Sequence, residues 1–149
     1  MSAFGVPIEE SQIVIIRGGA TKHDALDALI DAVRRNPAIT DKEVFRRAVH
    51  DREAVMSTGI GNGIAIPHVR IPEVTAATLG VGIAPKGIDF GAIDNKPVHI
   101  LVLFATPKDS DKEYLKLLAQ VMLRLRDQTF FKQLIECRSP AQAYAILNA

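Results

Sequence analysis

Residues 57–69 read STGIGNGIAIPHV. Gly59, Gly61 and Gly63 stand at alternate positions, ahead of the apolar run Ile64-Ala65-Ile66, then Pro67 and a lone His68. Glycine at this density marks backbone that enters conformations closed to other residues or lets another group approach closely. Three apolar residues are too few for a helix and suit one short buried strand. Pro67 fixes its own φ and keeps Ile66 out of the helical region, so His68 leaves the strand in a set direction. A rigid strand and turn thus present one imidazole, which has the chemistry of a nucleophile, a general base, a metal ligand or a polar strand end.

Working outward, residues 12–16 (QIVII), closed by Arg17-Gly18-Gly19, predict a first strand. Thr21-Lys22-His23-Asp24 has the form of a capping box, and Leu26, Leu29, Ile30 and Val33 give the following helix one apolar face. Thr40 with Glu43 predicts the start of a second helix, with Val44, Phe45, Ala48 and Val49 inward and an end near Arg52-Glu53. Residues 79–84 and 98–105 read as further strands, separated by Gly87, Gly91 and a turn at Asp94-Asn95-Lys96-Pro97. Ser110 to Glu113 is a second capping box, before a stripe of Leu115, Leu118, Val121, Met122 and Leu125. Thr129 is the expected cap of a short helix, and Ser139-Pro140 opens the last one. Strands apolar on both faces and interspersed with helices imply an α/β (α+β) three-layer sandwich: a mixed sheet of about five strands with helices on both faces. One domain over residues 1–149 is expected.

Composition narrows the function. The chain has 149 residues, 48% hydrophobic and 23% charged, as in an ordinary globular protein large enough to bury a core. A net charge of +1 without a dense Lys/Arg block argues against a nucleic-acid surface. The single cysteine, Cys137, excludes an internal disulfide, and the start MSAFGVPIEE has no basic region of the kind a signal peptide carries, so the cytoplasm is the expected compartment. No apolar run is long enough to insert in a membrane.

Several chemistries fail on spacing. A dinucleotide fingerprint needs a further glycine where Ile64 stands and a helix where Pro67 arrives; a phosphate loop needs Gly-Lys-Ser/Thr, which is missing. His23, His50, His68 and His99 include no helical i, i+4 pair of histidines, and Cys137 has no near partner, so no metal and no cofactor is expected. No nucleophile elbow is present. Histidine itself remains as the reactive group, with phosphoryl transfer the fitting chemistry because it demands positioning and charge stabilisation more than covalent work. The backbone of Thr58, Gly59, Gly61, Asn62 and Gly63 is a candidate anion cradle, and Arg52 a candidate phosphate clamp with forked donors. Plainer roles fit the same residues singly: His68 and His99 as structural hydrogen-bonders, His23 and His50 as solvated helix residues, Arg52 as a helix-end cation.

The series Arg52-Glu53, Ser57-Thr58-Gly59-Ile60-Gly61 and Ala65-Ile66-Pro67-His68 closely resembles the active-site segment of the fructose/mannitol-type IIA domains of the bacterial sugar phosphotransferase system (PTS). The likeness extends to Thr21-Lys22, Gly87-Ile88-Asp89-Phe90, Ala92-Ile93-Asp94-Asn95 and the strand over 98–107, and is greatest to the stand-alone nitrogen-regulatory IIA proteins. It implies phosphorylation of His68 by a histidine-containing phosphocarrier protein and a regulatory target such as a sensor kinase or potassium transporter. Two alternatives are a sugar-specific IIA subunit that passes phosphate to a separate IIB protein, and an unphosphorylated interaction module controlling such a kinase or transporter. One position departs from the pattern: Tyr114 stands where the family usually has a second histidine beside the phosphoryl group. A tyrosine can donate a hydrogen bond there but is a poor proton shuttle at neutral pH.

Overall fold

The computed structural model describes residues 2–149. A 3-10 turn at Glu10–Gln12 leads into β1 (Ile13–Ile15), followed by α1 (Lys22–Val33) and α2 (Lys42–Val55). Three short strands come next, β2 (Gly59–Gly61), β3 (Ile64–Ala65) and β4 (His68–Arg70), then the long β5 (Thr78–Ile88) and β6 (Val98–Thr106). Helices α3 (Asp111–Leu125), α4 (Gln128–Ile135) and α5 (Pro140–Leu147) complete the described chain.

The sheet is mixed, in the order β1-β5-β6-β3-β2, with β4 also paired to β6. It has six strands rather than the expected five or so. The short strand expected at Ile64-Ala65-Ile66 is β3, and the strands not expected are β2 and β4: β2 lies antiparallel to β3 in a hairpin, and β3 runs parallel to β6. Positive φ at Gly61, Asn62 and Gly63 (96°, 58° and 79°) turns the chain between them. His68 therefore opens a strand of its own, pairing with Phe104, so β3 and β4 follow one another along the same edge of β6.

The long strand β6 separates two cores by simple alternation. Leu101, Leu103 and Ala105 pack with Leu26, Leu29, Ile30, Phe45 and Val49 of α1 and α2. Ile100, Val102 and Phe104 point the other way, toward Leu117, Val121, Phe130, Leu134 and Leu147 of the last three helices. Gly80 lets α1 press onto the sheet: a Cβ there would lie 2.4 Å from Val33 Cγ2.

Three helix starts differ from expectation. Asp41, not Thr40, caps α2, its carboxylate accepting from Val44 N at 3.1 Å, while Thr40 donates both its N–H and its hydroxyl to the Glu73 carbonyl. Asp127 rather than Thr129 caps α4, accepting from the N–H groups of Thr129 and Phe130. Ser110 precedes α3 without a side-chain cap bond, so the second capping box does not form. Helix α2 also runs past Arg52-Glu53 to Val55. No helix among the described residues is long and apolar enough to cross a membrane.

Candidate functional site

His68 is half-buried at the start of β4. Its Nδ1 lies 3.0 Å from the Ile66 carbonyl oxygen, which can only accept, so Nδ1 carries the hydrogen and Nε2 keeps its lone pair. Burial pushes the His68 pKa below its ordinary value; Arg52 and Arg70 push the same way, against the Ile66 carbonyl and Glu53. A neutral imidazole with a free Nε2 is the form a nucleophile requires.

Strand geometry puts residues 68 and 70 on one face, against Tyr114 and Asp111 of α3, while Val69 turns to the core it shares with Phe45 and Val49 of α2. A small cavity of about 290 Å3 is lined by Ala48, Arg52, His68, Val69, Arg70 and Ile71. Arg52, in the last turn of α2, is steadied by a 3.1 Å bond from Nη1 to the Met56 carbonyl. Arg70 pairs with Asp111 at the start of α3, and its guanidinium carbon sits 5.1 Å from the Tyr114 ring centre. Tyr114 in turn tilts against His68, with ring centres 5.2 Å apart, and burial raises its pKa, keeping the phenol neutral. The Tyr114 ring thus supports a cation beside His68.

Three of the backbone N–H groups in the expected anion cradle already have partners within the protein. Thr58 is buried, with its N–H and hydroxyl donating to the two Glu53 carboxylate oxygens at 2.9 and 2.8 Å. Gly59 N donates to the Ser57 hydroxyl, and Asn62 N to Asp94. These three N–H groups are therefore committed inside the protein. Gly59 is needed for packing: a Cβ would come within 2.8 Å of Ala92 Cα. Asn62, at the turn, lines a separate cavity with Met122, Arg126 and Phe131, and a Cβ on Gly63 would touch Phe131 at 3.1 Å. The hairpin braces the strand edge that carries His68, while Arg52, Arg70 and Tyr114 surround the ring.

Two contributing residues escape the sequence reading. Arg70 was legible in principle from the period of two, had β4 been recognised as a strand. Glu53 is only 6% exposed and joins Lys22 of α1 (Nζ to Oε1, 3.0 Å) to Thr58. Its sequence signal is its place in the family-like series beside Arg52, which assigns it no role. Glu53→Gln should destabilise the fold by about 1–3 kcal/mol, because the amide cannot accept at both oxygens and leaves a buried donor unmet. A shift in the urea midpoint at unchanged slope would measure it; an unaltered midpoint would show the Glu53 bonds to be replaced without cost.

Comparison with known proteins places the chain in a family. The family described as "Phosphoenolpyruvate-dependent sugar phosphotransferase system, EIIA 2" matches residues 7–149. The nitrogen regulatory protein of Klebsiella oxytoca is 37% identical over 129 residues, covering 86% of this chain and 79% of that protein. The fructose-specific EIIABC component of Bacillus subtilis is 28% identical over 127 residues; the match takes 85% of this chain but only 20% of that longer protein. In three dimensions the chain is similar to nitrogen regulatory protein IIA-Ntr from Neisseria meningitidis, with a TM-score of 0.79, 24% identity and coverage of 94% and 95%. The Escherichia coli structure of enzyme IIA mannitol in complex with phosphorylated enzyme IIB mannitol matches at a TM-score of 0.78, 18% identity and coverage of 94% and 96%. With the family matched over 143 of its 149 residues (7 to 149), the chain belongs to the EIIA 2 family of the phosphoenolpyruvate-dependent sugar phosphotransferase system.

Proposed function

We propose that this chain is a phosphoryl carrier of the cytoplasm that accepts a phosphoryl group on Nε2 of His68 from a histidine-containing phosphocarrier protein and acts mainly as a regulator through its phosphorylation state. The observation that carries this reading is the surroundings of His68: Nδ1–H is committed to Ile66, and the adjoining cavity holds two arginines and no carboxylate. The Nε2 lone pair attacks phosphorus in line as the bond from phosphorus to the donor's imidazole nitrogen breaks, its electron pair returning to the donor ring. No proton moves at His68. Its ring takes on the positive charge that the donor ring loses, and the Ile66 carbonyl at Nδ1–H stabilises that charge. Arg52 and Arg70 supply fixed donors for the phosphoryl oxygens.

A protein donor suits the rim better than a free sugar does. The cavity lies at the small end of small-molecule sites. Val55 and Met56, which follow Arg52, are 81% and 70% exposed, and Leu115, beside Tyr114, is 60% exposed. Apolar side chains left in water around a reactive group suit contact with another protein. Likeness to the nitrogen regulatory protein of Klebsiella oxytoca favours a regulatory role, and a sensor kinase or potassium transporter is the kind of target the resemblance implies. Likeness to a fructose-specific EIIABC component supports a second reading, relay of the phosphoryl group to a separate IIB protein.

Incubation with phosphoenolpyruvate and the general phosphotransferase proteins tests the proposal. One acid-labile, alkali-stable phosphoryl group should appear on His68. Phosphate on another residue would overturn the proposal, and none at all would leave the chain an interaction module. Adding a purified IIB protein separates regulator from relay, since only a relay discharges to it. Tyr114→Phe should lower the ratio of phosphorylated to free protein at fixed donor by only about fivefold, because the ring that supports Arg70 survives and one neutral hydrogen bond is worth about 1 kcal/mol. Tyr114→Ala should lower it further; equal titrations for both variants and the wild type would place Tyr114 outside the phosphoryl site.

A further inference from the structure

Away from His68, helices α1 and α2 bring together three side chains that the spacing of histidines in the sequence does not reveal. His23 and Asp27 stand four residues apart on α1, hence on one face, and His50 projects from the facing turn of α2. One ligand atom from each lies within 4.8 Å of the other two. The imidazoles of His23 and His50 stack with centres 4.6 Å apart and planes inclined by 21°. His50 Nε2 is 2.9 Å from Asp27 Oδ1, and Arg46 Nε donates to the same oxygen at 2.8 Å. His50 is thus neither solvated nor free, contrary to the expectation from its helical position.

We propose that His23, Asp27 and His50 form a binding site for a divalent transition metal such as zinc. Two imidazoles and a carboxylate are the ligand set such ions take, and tetrahedral zinc needs about 2.0–2.2 Å to each. Adjacent ligands then lie roughly 3.3 Å apart, from those bond lengths. Bringing 4.8 Å to that value requires side-chain rotation alone, open to His23, which is exposed, and to His50 and Asp27, which are partly so. Asp27 is held in place: Oδ1 accepts from both His50 and Arg46, leaving Oδ2 without a hydrogen bond among the described residues. Arg46 binds Asp27 from outside and fixes the direction of the carboxylate, as outer partners of metal ligands do. The cluster borders an open groove that also contains Lys22, Arg47, Asp51 and Glu53. With Arg46 and Asp27 counted, three bases (Lys22, Arg46, Arg47) meet three acids (Asp27, Asp51, Glu53), and Lys22 is paired with Glu53, so the formal charges balance. On binding, the hydrogen on His50 Nε2 leaves to solvent, Nδ1 taking one up where the ring is to remain neutral, and the metal occupies the vacated lone pair. Three protein ligands leave one position for water or a fourth ligand.

Isothermal titration of the tag-free, unphosphorylated protein with zinc, and cobalt absorption spectra, test the site without reference to His68 chemistry. One ion per chain should bind, raising the melting temperature. His23→Gln, His50→Gln and Asp27→Asn should each weaken zinc at least about tenfold and abolish the tetrahedral cobalt bands, while His99→Gln changes neither. Circular dichroism of each variant without metal establishes that it is folded, and the double variant His23→Gln/His50→Gln sets the background. Binding by the wild type no tighter than by that folded double variant, or lost equally in His99→Gln, would overturn the proposal.

Discussion

His68→Gln should incorporate no phosphoryl group at any donor concentration, while staying folded. Glutamine can reproduce the hydrogen bond to Ile66, so the loss of stability should stay near 1 kcal/mol. It has no nitrogen lone pair to attack phosphorus. The other histidines do not substitute. His99 makes a similar bond, Nδ1 to the Ala84 carbonyl at 3.0 Å, but it does not line the cavity that Arg52 and Arg70 share with His68. His50 has Nε2 committed to Asp27. The same lone pair sets the pH dependence in the wild type. Because the His68 pKa is depressed in the folded chain, the ring is neutral at and above pH 7, and the rate should be flat there. Transfer should fall only as pH drops through the folded value, which lies below the unfolded one of about 6.5. Stability follows the same sign: the folded state binds fewer protons at His68, so its contribution is intact above the unfolded value and lost on acidification through the folded one. NMR titration of the His68 ring measures this directly. A midpoint above 6.5, or phosphate retained in His68→Gln, would sink the assignment.

What the sequence made legible follows from which interactions are local. Helices α1 and α5 were readable because Thr21 and Ser139 make their cap bonds within three residues, to Asp24 N and Gln142 N. Strand β6 was readable because it is buried on both faces and so apolar throughout. The hairpin was legible only in part: the short strand at Ile64-Ala65-Ile66 is β3, but β2 is three residues long and its pairing follows from β3 lying on the edge of β6, more than thirty residues on. At the site, His68 and Arg52 stood out through their setting. Glu53 did not, since its role lies in contacts with Lys22 and Thr58 that only the packing of α1 on α2 creates. For the same reason the grouping of His23, Asp27 and His50 could not be found by counting spacings along one helix.

Arg52→Ala should slow phosphoryl transfer to His68 by about 10²–10³-fold, the loss seen when one preorganised donor to a developing anion is removed, or roughly 3–4 kcal/mol. Stability should change far less, because Arg52 is partly exposed and its one hydrogen bond, to Met56 O, closes the end of its own helix. The separation between rate and stability is the point of the experiment. A helix-end cation contributes up to about 1 kcal/mol through the dipole and nothing to transfer; a guanidinium lining the cavity with His68 contributes mainly to transfer. Removing Arg52 also removes a positive charge that helps depress the His68 pKa, so that pKa should rise and a small part of the rate loss at neutral pH come from protonation. Measuring at pH 8, where the ring is neutral in both proteins, isolates the electrostatic part. Arg52→Lys should recover only a fraction, since an ammonium lacks the planar fork that engages two phosphoryl oxygens at once. Arg70 does not fill the gap fully, because Asp111 holds its guanidinium toward the start of α3. Equal transfer rates for the wild type and a folded Arg52→Ala variant at pH 8 would reduce Arg52 to a helix-end residue and leave Arg70 as the cation that meets the phosphoryl group.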